Sequence, residues 1–101
     1  MHVHGWATHY TLHLITGKQE VRHLRVFAAD DKQARVYTEV YHLNGKIYWT
    51  ANIHIPFRPD LSRIAYGMYA DVPGALAVAK MIASRHALAA LRKAEAHTLA
   101  S

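Results

Sequence analysis

Histidines are the residues of this sequence that most readily suggest chemistry, and metal binding is the first chemistry to test. Nine occur among 101 residues, and His9 and His13 form an HxxxH pattern. On a helix this spacing would aim both rings at one ion. The flanking residues alternate as in a strand, where at about 3.3 Å per residue the two Cα atoms lie roughly 13 Å apart. The pattern therefore predicts no chelating pair.

The residues around these histidines predict a β-hairpin. Residues 6–15 alternate between apolar and polar, residues 16–19 carry a turn signal, and residues 21–28 alternate again. A short loop at the turn would pair Leu12 with Leu24. We prefer this register because it keeps apolar side chains opposite one another.

This register places His13 opposite His23, with Arg25 beside them. Structural zinc takes four ligands and catalytic zinc usually three, and we expect no carboxylate on this face of the first three strands. We therefore predict no metal site and no other cofactor. A small metal-independent nuclease could use the same three side chains for acid–base chemistry. This is one functional hypothesis, and two others follow from the charge and the sheet face described below.

The rest of the chain predicts further strands and helices. Residues 47–55 alternate as a third strand, and residues 64–68 suggest a fourth. Residues 31–43 are ambiguous. Their Val, Tyr and Thr content favours a strand that ends at an Asn44–Gly45 hairpin turn, whereas their apolar residues recur at helical spacing after a suitable N-cap, Asp30. We expect a helix, because pattern outranks propensity.

A last helix is predicted from its N-cap, Asp71, to about His97. It carries a narrow stripe of mostly small side chains, Leu76, Ala79, Ala83, Ala87, Ala90 and Ala94. Small side chains allow close approach by another element. That element is either the sheet of the same monomer or a second copy, which would make a homodimer through the Ala-rich C-terminal helix. Residues 1–101 are thus expected to form one α+β domain, an antiparallel sheet with two helices in ββαββα order.

Composition narrows the class of partner. Twelve Lys and Arg against seven Asp and Glu give a net charge of +5, which favours an acidic protein surface or nucleic acid. The absence of cysteine excludes disulfides, thiolate catalysis and Cys-ligated zinc, and it fits a cytoplasmic protein. The most apolar stretch, residues 72–83, is too short to span a bilayer, so we expect no membrane partner.

Two helices on one face of the sheet would leave the other face basic, aromatic and free of carboxylates. We expect the binding residues on this face to be His9, His13, His23, Arg25, Tyr48, Asn52 and His54. Such a surface suits base stacking and phosphate contacts, and it suits an acidic protein equally well. A second subunit or the last helix could also cover it.

One resemblance adds to this interpretation. The hairpin YTLHLITGKQEVRHLRVF, which runs directly into AADDKQAR, resembles sheet-plus-helix units in small α+β proteins of phages and mobile elements, including anti-CRISPR inhibitors. The resemblance implies a non-enzymatic binding protein that inhibits a host nucleic-acid-processing complex by occluding a surface. The alternative is direct binding of single-stranded or structured nucleic acid by the basic-aromatic face. No functional residue can be carried over.

Overall fold

Six β-strands and one long helix make up the described part of the chain. The computed structural model describes residues 1–12, 14–30, 34–55 and 62–100, with the backbone alone for Ser62 and residues 96–100. The elements are β1 His2–Val3, β2 Ala7–Leu12, β3 Gln19–Ala28, β4 Arg35–Leu43, β5 Lys46–His54, β6 Ser62–Ala70 and α1 Ala75–Ala100.

The strands form one antiparallel sheet in the order β1-β3-β4-β5-β6, and β2 also pairs with β3. The two N-terminal strands share one edge: β1 pairs with the end of β3, and β2 with its beginning. Helix α1 packs across β3, β4, β5 and β6. The α+β class is confirmed. The expected ββαββα order with two helices is wrong, because the described residues contain a single helix.

The predicted helix over residues 31–43 is a strand where the structure describes it. Arg35–Leu43 pairs with both β3 and β5, and residues 31–33 lie outside the described residues. Asn44 and Gly45 have φ angles of 51° and 72°, as a two-residue type I′ hairpin turn requires. Hydrogen bonds to two neighbouring strands outweigh the helical spacing of apolar residues that an isolated segment shows.

The predicted register of the first hairpin is also wrong. Ala7 pairs with Leu24, and Leu12 pairs with Gln19, a shift of five residues from the expected pairing of Leu12 with Leu24. An odd shift moves every side chain of one strand to the opposite face. His23 therefore lies on the face that α1 covers, and Leu24 lies on the other.

Alanines let α1 lie close to the sheet. Ala79, Ala83 and Ala87 recur every four residues and have no exposed surface, and Leu91 continues their line. These helix residues belong to two hydrophobic clusters. Ala87 and Leu91 share one cluster with Val36 of β4, and Ala79 and Ala83 share the other with Val40 of β4. The small-residue stripe thus lies against the sheet of its own monomer, the first of the two predicted interpretations.

The start of α1 differs from the expectation. The helix begins at Ala75, and the side chain of Asp71, the expected N-cap, contacts another element instead. Its Oδ2 lies 3.0 Å from Nδ1 of His42. None of the helical residues described is part of a segment long and apolar enough to cross a bilayer.

Trp49 fills the space between the sheet and α1. Its indole stacks on the His86 ring, with centroids 5.2 Å apart and an interplanar angle of 20°. On the neighbouring strand β6, a Cβ added at Gly67 would lie 2.3 Å from the indole Nε1. Residue 67 must therefore lack a side chain, because the buried indole cannot move away from β6 without disturbing its stack on α1.

We predict that Gly67→Ala lowers the free energy of unfolding by about 1–3 kcal/mol, the usual cost of overpacking a core. Urea denaturation followed by Trp fluorescence measures it. Gly5→Ala is the matched control, because a Cβ at Gly5 meets nothing within 4 Å, and it should stay within ~0.5 kcal/mol of wild type. Equal stability of the two variants would contradict the packing described for Trp49.

Candidate functional site

The face of the sheet opposite α1, here called the open face, is where alternate side chains of β3–β6 point away from the core. The register defines it: Val26 pairs with Tyr37, Tyr37 with Asn52, and Asn52 with Arg63. Its larger side chains from these strands are Glu20, Arg22, Leu24, Val26, Arg35, Tyr37, Glu39, Tyr41, Leu43, Lys46, Tyr48, Thr50, Asn52, His54, Arg63, Tyr66 and Met68.

The structure divides six of the seven predicted binding residues between two faces. The register of β2 and β5 places four of them on the open face, namely His9, Tyr48, Asn52 and His54. His23 and Arg25 lie on the face toward α1, and His13 falls outside the described residues. The division follows from the register shift in the first hairpin.

The sequence interpretation missed several open-face residues, above all Tyr37, Tyr66, Arg35 and Arg63. The Asn44–Gly45 turn was the signal that could have found Tyr37 and Arg35. A hairpin at that turn places the odd-numbered residues of β4 beside the even-numbered residues of β5, which the helix interpretation did not allow.

The expected absence of carboxylates from this face is wrong. Glu39 accepts a hydrogen bond from Nη1 of Arg22, and Oε2 of Glu20 lies 3.4 Å from Nη2 of the same guanidinium. The hydrogen bond to Glu39 raises the pKa of Arg22. The guanidinium also lies 4.9 Å from the centroid of the Tyr41 ring, which stacks on Tyr48 at 5.4 Å. These contacts satisfy the charges of this part of the face internally.

The opposite end of the open face, where β3 and β5 end and β4 and β6 begin, is cationic; we call it the cationic end. Arg35 and His54 are register partners there, and Arg63 lies one strand further. The Arg63 guanidinium stands 5.1 Å from the centroid of the Tyr66 ring, and Tyr66 is 70% exposed. Among the described open-face residues of β3–β6, both carboxylates lie on Arg22, away from this end.

On the covered face, Arg25 connects three parts of the chain. Its Nε donates to the His4 carbonyl oxygen at 2.8 Å, and its Nη1 to Oγ of Ser84 at 3.2 Å. Its guanidinium also stands 5.0 Å from the centroid of the Phe27 ring. Arg25 thus ties the N-terminal segment and α1 to β3, and these contacts engage its Nε and Nη1 donors.

His23 is the buried histidine of the covered face, 9% exposed. Its Nδ1 lies 3.1 Å from Oγ1 of Thr8, and its ring lies 6.3 Å from that of His42. Burial, followed by the positive charge of Lys80 and by His42, lowers the pKa of His23 from its ordinary value of 6.5. Within the described ranges, no three His, Asp or Glu residues are grouped to hold a metal ion.

Comparison with known proteins does not assign this site. The chain matches no protein-family model, no curated protein and no solved structure. Its function therefore has to be inferred from the chemistry of the two faces.

We predict that His23 makes the protein less stable in mild acid. The unfolded chain binds a proton at this histidine near pH 6.5, whereas the folded chain binds it only at lower pH. Stability is therefore lost as pH falls from about 6.5 through the folded pKa. Urea unfolding at pH 7.5 and pH 5 should show a smaller loss for His23→Gln than for wild type.

His9→Gln is the control for this experiment, because His9 is an exposed histidine on the neighbouring strand β2. We expect it to lose as much stability in acid as wild type does. The same loss in His23→Gln would show that the buried ring of His23 is not the acid-sensitive group.

Proposed function

We propose that this protein is a non-enzymatic binding protein whose open face binds single-stranded nucleic acid. The observation that carries the proposal is the exposed Tyr66 ring beside Arg63, on the same face of the sheet as Tyr37 and Arg35. Aromatic rings on a sheet stack on unpaired bases, and arginine binds phosphate.

The spacing of the two exposed tyrosines favours a single strand. Tyr37 lies on β4 and Tyr66 on β6, two strand spacings or roughly 10 Å apart across the sheet. An unpaired strand can turn its bases onto both rings, whereas a duplex keeps the faces of its bases stacked inside. Arg35 and Arg63 lie beside these rings, where a phosphate backbone that follows the bases would pass.

The charge distribution favours an anion at the cationic end and not over the rest of the face. Arg22 is engaged by Glu20 and Glu39, and this group of one cation and two anions would repel a phosphate. Arg35 and Arg63 have no ion pair with any described residue. A bound strand should therefore run across the sheet at the cationic end, perpendicular to β4, β5 and β6.

We predict that a labelled single-stranded oligonucleotide binds with an affinity that falls as salt rises. Each phosphate neutralised on a single strand contributes a slope of about −0.7 to log K against log salt. Two contacts, through Arg35 and Arg63, give a slope of about −1.4. Fluorescence anisotropy between low and moderate salt measures it. No binding at low salt by a folded protein would overturn the proposal.

We also predict that Tyr66→Ala weakens this binding at least about fivefold, because one base–aromatic stack contributes about 1–3 kcal/mol. Tyr10→Ala is the matched control: Tyr10 is as exposed as Tyr66 but lies off the open face. An equal loss in Tyr10→Ala would show that binding is not localised on the open face.

For charge, Arg63→Gln should reduce the salt slope, and Arg92→Gln, at an exposed position of α1, should leave it unchanged.

Inhibition of a host nucleic-acid-processing complex, which the resemblance to anti-CRISPR proteins implies, is the competing proposal. The cationic end could meet an acidic protein surface as well as a phosphate. In that case the oligonucleotide does not bind, and wild-type protein retains a host complex from lysate that the Arg35→Gln, Arg63→Gln double variant does not retain. The exposed Tyr66 and Tyr37 rings make the nucleic acid the better match.

A further inference from the structure

A cavity of about 380 Å³ lies at one corner of the open face, where β1 meets the end of β3 and the beginning of β4. It is lined by His2, His4, Val26, Ala28 and Arg35. Its size is within the range of small-molecule sites, which are usually apolar clefts with a few polar groups. Here the polar groups are three nitrogen-bearing side chains, and Val26 and Ala28 are the apolar residues.

The backbone holds all three polar residues in place. His2 pairs with Ala28 in the ladder between β1 and β3. The His4 N–H donates to the Val26 carbonyl at 3.1 Å, and its carbonyl accepts from Nε of Arg25 at 2.8 Å. Arg35 is held between β3 and β5 by its pairing with Ala28 and His54. Three separate segments therefore converge on one cavity.

The lining residues favour an anion. None of them carries a carboxylate, and the nearby Asp30 pairs with the amino group of Met1. A guanidinium in the wall repels a metal ion and binds phosphate oxygens in a bidentate geometry. Both imidazoles can donate an N–H to an oxygen whether neutral or protonated.

We propose that this cavity binds a terminal phosphate monoester together with its nucleotide. A monoester offers three terminal oxygens and close to two negative charges, which match three donor side chains, whereas an internal phosphodiester offers two free oxygens and one charge. Val26 and Ala28 would contact the sugar or base. The inference rests on the proposed function, since Arg35 and Tyr37 connect the cavity to the path proposed for the strand.

Three forms of one oligonucleotide test this inference: 5′-phosphorylated, 3′-phosphorylated and unphosphorylated. We expect one phosphorylated form to bind about tenfold more tightly than the unphosphorylated form, because hydrogen bonds between charged groups are strong. Which of the two binds more tightly identifies the end that is recognised. Arg35→Gln should abolish the preference, whereas Arg63→Gln should weaken all three forms equally and keep it.

The outcomes separate the two proposals. Equal affinity for all three forms overturns the phosphate site and leaves the open face as the binding surface. If no oligonucleotide binds, the proposed function fails, and a titration with adenosine 5′-monophosphate followed by NMR decides the site alone. Amide shifts at residues 2, 4 and 35 that Arg35→Gln abolishes would support it, and their absence would overturn it. His4→Gln replaces Arg35→Gln if circular dichroism shows that the latter is unfolded.

Discussion

One helix can cover only one face of a sheet, and the rest of this structure follows from that constraint. The described chain supplies a single helix for six strands. Ala79, Ala83 and Ala87 let α1 approach closely, so that apolar residues of β3, β4 and β5 are buried beneath it. The other face has no covering element among the described residues. Its side chains are accordingly a mixture of tyrosines, arginines and polar residues.

The two faces use their arginines differently. On the covered face, Arg25 donates hydrogen bonds to the His4 carbonyl and to Ser84. It thereby fixes the segment that supplies one wall of the cavity for which we propose phosphate binding. On the open face, Arg22 is occupied by two glutamates. Arg35 and Arg63 remain, both at the cationic end. Among the described arginines of the open face, those without an ion pair to a described residue are thus grouped at the cationic end.

Sequence patterns predicted much of the fold but assigned the open face incorrectly in two places. Alternation located the strands of the first hairpin, β5 and β6, and the small-residue stripe located the covered side of α1. Residues 35–43 fit both periods, because Val36, Val40 and the tyrosines recur at spacings that suit a helix as well as a strand. In the first hairpin, the register that keeps Leu12 opposite an apolar partner is not the one adopted, because Leu12 pairs with Gln19 and Leu24 with Ala7.

The sequence by itself determined the α+β class, the positions of most strands and the excess of basic residues, because these depend on local spacing and composition. It left the Asn44–Gly45 hairpin turn as one of two alternatives. Only the tertiary structure decided which residues share a face. Pairing with β3 and β5 made residues 35–43 a strand and brought Tyr37 beside Asn52, and an odd shift in register turned His23 and Arg25 inward. Register depends on contacts between residues distant in sequence, and local pattern does not encode them.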